Sequence, residues 1–218
     1  MVKSKDYPVK WDRANLEKFG HFIRNLFIRD SPPELNLVCL RSCLNVTNLT
    51  CWVQMSRDMM DAMSHLRLTH LSINPNIIQH PTPGLLETFA RVTHLDCLGH
   101  FDNTLGHIIH FKSLTHLAVS CYILVRPPLL PILWDRFPKL QVVISLKVAD
   151  NPDQTGSIVE GFDTNLGDPR VVMITLPFGD GDDWLDDVRY GRGIWGLADE
   201  AISRRRQARD NTARGIER

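Results

Sequence analysis

Apolar residues return along this chain in a three-place phrase, at a first, fourth and sixth position, with polar residues between them. The phrase reads Ile23/Leu26/Ile28, Val46/Leu49/Cys51, Leu68/Leu71/Ile73, Val92/Leu95/Cys97, Leu114/Leu117/Val119 and Val171/Ile174/Leu176. At Leu140 the phase slips, and Val142, Ile144 and Leu146 alternate instead. Counting Leu140, successive phrases begin 23, 22, 24, 22, 26 and 31 residues apart, so the chain repeats, with drift. Alternation over so few residues predicts one short strand per phrase.

The stretches between phrases carry helix signals. Ser31-Pro32-Pro33-Glu34 reads as a capping box with proline in the first turn, followed by Leu35, Val38 and Cys39 on one face. Ser56 is placed to cap a helix bearing Met59, Met60, Met63 and Leu66, and Asp102 one bearing Leu105, Ile108 and Ile109. The prolines at Pro83 and Pro127-Pro128 suit a first helical turn but limit the length of the helix beyond it. Strands that recur in one direction with a helix between them must pair in parallel, because hairpin turns are absent. One unit cannot hide its own leucines, so stacking on neighbours is required, and the ends need caps. Leu16, Phe19 and Phe22 suit a helical cap at the start, and Trp195, Ala198 and Ile202 share a face of one at the end.

An L-x-x-L-x-L pattern in units of about 20 to 29 residues is the signature of leucine-rich repeats. The expected architecture is therefore α/β: an irregular leucine-rich-repeat-like solenoid with a parallel sheet on one face and helices on the other. The unit at Leu68 alone runs on to Asn76 and Ile78 of the longer consensus. The expected organisation is a polar segment over 1–15, the solenoid over 16–176, and an acidic loop, capping helix and basic tail over 177–218.

Composition narrows the function classes. Lysine plus arginine and aspartate plus glutamate balance at 25 each, so no global field points to nucleic acid or a membrane surface. No apolar run approaches the roughly 18 residues of a membrane span, and the first residues lack the apolar centre of a secretory signal. A cytoplasmic or nuclear address is expected. The cysteines, Cys39, Cys43, Cys51, Cys97 and Cys121, mostly sit where the repeat wants a small apolar residue, which suits reduced, buried thiols.

In a strand whose fourth and sixth residues face the core, the third, fifth and seventh face the other way. His70, His94 and His116 occupy the third place of three consecutive phrases, which predicts a row of imidazoles on an open sheet face. Beside them fall Thr50, Ser72, Asp96 and Ala118, then Trp52, Asn74, Leu98 and Ser120. A row of imidazoles beside Asp96 raises zinc as a ligand, but rungs that lie side by side do not converge on one point. Neighbouring imidazoles also resist simultaneous protonation, so such a row titrates over a spread of pH. Gly191 to Gly196 spells G-x-G-x-x-G without the buried strand that a dinucleotide site needs in front of it. The aspartates at 180, 182, 183, 186 and 187 miss the calcium-loop spacing. Arg204, Arg205, Arg206, Arg209 and Arg214 form a basic helix end that suits the negative end of a helix dipole.

The phrases "VTNLTCWV", "LTHLSIN", "VTHLDCL", "LTHLAVS" and "FPKLQVVISL", then "GDPRVVMITLP" and "YGRGIWGLADEAI", resemble a family of fungal F-box-associated, leucine-rich-repeat-like proteins over roughly Leu16 to Arg206. The resemblance implies a substrate-recognition arm of a ubiquitin ligase and brings no catalytic residues. "SPPELNLVCLRSCL" is similar to an F-box start but runs directly into the phrase at Val46, so it reads as a repeat helix. An F-box is then expected from a longer gene product or a partner chain. The expected role is a non-catalytic protein-interaction module with no cofactor and no metal, binding a protein partner through Trp52, His70, Ser72, His94, Asp96 and His116. The alternatives are a hydrolase or metal-binding enzyme built on the histidine row, and a degenerate family member without a partner.

Overall fold

The computed structural model describes residues 13–29, 31–73, 81–97, 108–120, 129–148, 168–176 and 193–216. Packing divides the chain into two units, Met1–Leu114 and Thr115–Arg218, a boundary inside the segment 16–176 that the sequence reads as one solenoid.

The first unit runs α1 (Arg13–Phe19), a 3-10 turn (Gly20–Phe22), β1 (Asn25–Ile28), α2 (Pro33–Ser42), β2 (Asn48–Cys51), α3 (Arg57–Met63), β3 (His70–Ile73), α4 (Pro83–Phe89) and β4 (His94–Cys97). β1 to β4 pair in parallel in chain order. The register matches the repeat: Leu26, Leu49, Leu71 and Leu95 lie across from one another, as do Ile28, Cys51, Ile73 and Cys97. From Leu49 onward these rows are buried, together with Leu40, Met59, Met63, Leu85 and Phe89 from the helices.

A threonine before each of β2, β3 and β4 sets the stacking. The amides of Thr47, Thr69 and Thr93 donate to the carbonyls of Arg24, Thr47 and Thr69 at 2.9, 2.8 and 2.9 Å. The Thr69 and Thr93 hydroxyls donate to the same acceptors, Thr47 O at 3.3 Å and Thr69 O at 3.1 Å. Each of these strands thus hands a carbonyl to the next, which ties the register of β1 to β4 at the start of each strand.

Local chemistry sets the helix ends. Ser56 caps α3, its hydroxyl accepting from the Met59 amide at 3.3 Å, as its sequence predicts. The expected cap at Ser31 is corrected: α2 starts at Pro33 with Pro32 before it, and the Ser31 hydroxyl bonds Asn36 Oδ1 instead. Asn36 Nδ2 returns a bond to Ser31 O at 3.1 Å. With both its polar ends occupied, Asn36 is buried, so the inner face of α2 is centred on Asn36 and Leu40 rather than on Leu35, Val38 and Cys39. The start of the chain is narrower than expected as well: Leu16 is buried, whereas Phe19 and Phe22 are exposed. Gly20 allows the turn after α1 to approach α2, since a Cβ there would lie 2.5 Å from Ser42 O.

The second unit contains β5 (His116–Ser120), α5 (Leu129–Arg136), β6 (Val142–Val148), β7 (Val171–Leu176) and α6 (Ile194–Ile216). β5, β6 and β7 also pair in parallel. The phase slip at Leu140 has a structural meaning. His116 and Ala118 lie across from Val142 and Ile144, and Ile144 and Leu146 across from Val172 and Ile174. The face that carries histidine in β5 is therefore aliphatic in β6 and β7. Val142, Val143, Ile144, Ser145 and Leu146 are all buried, so β6 is covered on both sides, and α6 lies against β6 and β7.

α6 buries Ala198, Ala201 and Ile202, matching the face expected from Trp195, Ala198 and Ile202. Arg205 fastens it, donating to Pro169 O at 3.2 Å and Val171 O at 2.8 Å. Residues 206–212 are exposed on all sides. The described residues include no helix long and apolar enough to cross a membrane. Asn74, Asn76, Ile78, Leu98, His100, His107, Cys121, the cap at Asp102, Pro127-Pro128, the aspartates at 180 to 187, and Gly191 lie outside the described residues.

Candidate functional site

In the first unit the third, fifth and seventh places of the phrase gather on one face of β1 to β4. Asn25, Asn48, His70 and His94 form the third-place row; Phe27, Thr50, Ser72 and Asp96 form the fifth-place row. Arg29 and Trp52 come next, in the seventh place.

The His70 and His94 rings stack with centroids 4.0 Å apart and planes 16° from parallel. Each ring is anchored by the threonine before it: Thr69 Oγ1 lies 3.0 Å from His70 Nδ1, and Thr93 Oγ1 lies 2.9 Å from His94 Nδ1. A hydroxyl has one hydrogen, and both threonines direct theirs to a carbonyl. Each hydroxyl therefore stands between the carbonyl of the preceding unit and the Nδ1 of its own histidine. The recurring "TH" dipeptide is thus a positioning device in which the backbone sets the threonine and the threonine sets the ring.

One row further on, a hydrogen-bonded chain runs across three strands. Trp52 Nε1–H donates to Ser72 Oγ at 2.8 Å, and Ser72 Oγ–H donates to Asp96 Oδ2 at 2.7 Å. The indole also meets the Phe27 ring edge-on, centroids 5.4 Å apart, and the Arg29 guanidinium lies 5.7 Å from its centroid. Burial pushes the Asp96 carboxyl up to about 7, against the opposing effect of the Ser72 hydrogen bond. Among the described residues its second oxygen, Oδ1, has no hydrogen-bond partner although it is buried, and the same holds for Thr50 Oγ1. An unpaired buried oxygen is tolerated far better on a neutral acid than on a carboxylate, which agrees with the raised pKa.

The sequence expects these rows to be open, and the structure corrects that for the fifth place: Ser72 and Asp96 retain only 6% and 8% exposure. His70, His94 and Trp52 are half-buried. Phe27 and Arg29 belong to the site although the sequence reading did not single them out. The signal was available, since they fill the fifth and seventh places of the phrase that begins at Ile23.

His116 belongs to the second unit and is buried there at 8% exposure, a correction to its expected place on an open face. Thr115 Oγ1 lies 2.8 Å from its Nδ1, as in the other two rungs. Its Nε2 meets Asp199 Oδ1 of α6 at 3.1 Å, and the Trp195 ring stands edge-on to it with centroids 6.0 Å apart. The cause is the long terminal helix, whose sequence distance from Thr115 hid the contact. In the same unit Arg170 grips Asp168 through two nitrogens, at 3.0 and 2.8 Å, and lies 3.6 Å from the Trp134 ring centroid. Although burial alone would raise the Asp168 carboxyl, the Arg170 hydrogen bonds and charge hold it below the usual carboxylate range. This cluster has the geometry of a clamp on the turn before β7.

Among the described residues no group of three histidine, cysteine, aspartate or glutamate side chains is gathered as a metal would require. Cys39, Cys43, Cys51 and Cys97 are free thiols. Burial pushes Cys51 up to about 11, and burial together with Cys39 does the same to Cys43, so neither is poised as a nucleophile. Comparison with protein-family profiles, with curated proteins and with solved structures found no match.

Proposed function

We propose that this chain is an irregular leucine-rich-repeat-like solenoid that acts as a non-catalytic protein-interaction module, and that the histidine and tryptophan face of its first unit is where a partner protein binds. The observation that carries this reading is the ordered face itself. Two stacked imidazoles are held by threonines, next to a half-buried Trp52 whose indole is fixed by Ser72, Phe27 and Arg29. A pre-ordered tryptophan beside arginine and histidine is the composition that dominates interface energy, because little conformational freedom remains to be lost on binding.

In the fungal F-box-associated family that the sequence resembles, such a face would recognise a substrate for ubiquitin ligation. The F-box would come from a longer product of the same gene or from a separate chain, and the module would work in the cytoplasm or nucleus. Quantitative affinity capture from source-cell lysate tests the reading, with wild-type chain beside Trp52→Ala and His94→Ala variants shown to be folded by circular dichroism. A partner enriched by wild type and lost by both variants supports it. Identical captured sets from all three overturn it.

A further inference from the structure

Trp52, Ser72 and Asp96 form a chain that can run in only one direction. An indole N–H donates and cannot accept, so Ser72 Oγ receives it at 2.8 Å and directs its own hydrogen to Asp96 Oδ2 at 2.7 Å. The half-buried Trp52 is thereby tied to an acid two strands away that retains 8% exposure. Ser72 and Asp96 lie within β3 and β4, whereas Trp52 follows Cys51, the last residue of β2, and its amide is held by Ile28 O at 3.0 Å. The indole is therefore the member of the chain with side-chain torsions left to change. Among the described residues Ser72 is the one hydrogen-bond donor to the Asp96 carboxyl, and Oδ1 is buried without one. A charge on Asp96 makes the Ser72 bond roughly twice as strong, but withdrawing that charge from water behind a single donor costs more than one strengthened bond returns. The carboxylate therefore demands water where the neutral acid does not. The other ionisable groups of the unit on this face, among the described residues, are Arg29, His70 and His94, and Cys97 adjoins Asp96 from the core side. Positive charge on Arg29 or on either imidazole favours the carboxylate, so these groups set the pH of the change and not its occurrence.

We infer that Asp96 is a proton-operated latch on Trp52: protonated, it holds the indole to the sheet through Ser72, and ionised, it draws water to the row and releases the indole. This rests on the proposed binding role and names its regulation, since a partner that anchors on Trp52 meets an ordered indole below the transition and a loose one above it. Burial, which pushes the Asp96 carboxyl up to about 7, places the transition near neutrality.

The latch is read without a partner, so it and the binding role fail separately. In the full chain labelled with nitrogen-15 at tryptophan, the Trp52 indole resonance is identified by its loss in Trp52→Phe and followed from about pH 5 to about pH 9. A single transition is expected, with the indole proton moving upfield toward the position of a water-exposed indole as pH rises. Asp96→Asn keeps the shape of the acid and cannot ionise, so its indole should hold the low-pH position throughout. Ser72→Ala cuts the chain and should give the released position at every pH. The remaining indole resonances, unmoved, show that each variant is folded. An indole that does not shift in the parent overturns the inference. So does a transition that persists in Asp96→Asn, which would assign it to His70 or His94, or one that persists in Ser72→Ala. The parent alone supplies a further check that no misfolded variant can imitate: the carbon-13 shift of the Asp96 carboxyl should change with the same midpoint as the indole, and separate midpoints remove the latch.

Discussion

Two rungs of one phrase, Thr93-His94 in the first unit and Thr115-His116 in the second, begin alike and end differently. In both, the threonine hydroxyl sits within hydrogen-bonding distance of Nδ1. His94 then stacks on His70, whereas His116 meets an acid and an indole from α6. The strands explain the contrast. Past β5 the shared face turns aliphatic, with Val142, Ile144 and Leu146, and a helix of the same chain covers it; in β1 to β4 it stays polar and aromatic. A repeat fixes the backbone and the inner row, and the outer row is then free to become a packed aliphatic face in one unit and a polar, aromatic face in the other.

The largest expected effect breaks the covered side of this comparison. Ile202→Ala removes a buried contact of α6 and should cost about 2–5 kcal/mol in urea unfolding. A cost under about 0.5 kcal/mol would mean that α6 is not a structural cover.

Asp96 sharpens the other side. Its folded-state pKa, about 7, stands above the ordinary 3.8, so between those values the folded chain holds a proton that the unfolded chain has released. Stability should therefore fall as pH rises from about 4 to about 7 and level off above, by an amount on the order of a few kcal/mol. Asp96→Asn should flatten that slope in denaturant midpoints measured across the range. An unchanged slope would show that the carboxyl is ionised in the fold.

Arg205→Met should cost roughly 1–3 kcal/mol, because it strips charged donors from the carbonyls of Pro169 and Val171. The corresponding loss should be absent when the exposed Arg209 is changed in the same way, which unfolding midpoints of the two variants compare directly. The smallest effect is also the most specific. Thr93→Val should cost about 1 kcal/mol and free the His94 Nδ1 from its hydroxyl neighbour, visible as a change in its imidazole nitrogen shifts.

The strands, their parallel pairing and their inner rows were legible in the sequence because apolar spacing and helix-length gaps constrain them directly. Ser56 was legible as a cap because its hydroxyl is close in sequence to the amide it serves. Ser31 was misread because a buried asparagine one turn later competes for the same hydroxyl, and a polar residue gives no warning of burial. The site was legible in part: the rows containing His70, Ser72, His94, Asp96 and Trp52 are set by phase alone. The burial of Ser72 and Asp96 was not, since phase gives the face a residue points to and not what covers it; the Trp52 indole reaches Ser72 across the neighbouring strand. The fate of His116 was hidden for another reason, its acid partner being 83 positions away.

The threonine carbonyl relay also sets how the chain tolerates change. β3 and β4 are each indexed to the strand before by a carbonyl that receives both an amide and a hydroxyl, and not by the length of the loop between them. Small insertions between strands can then be absorbed without shifting the rungs, which fits a spacing that varies from 22 to 24 residues across β1 to β4 while neighbouring rungs keep their alignment. Such a scaffold lets its outward side chains drift as well, one rung at a time, with little disturbance to the rungs on either side.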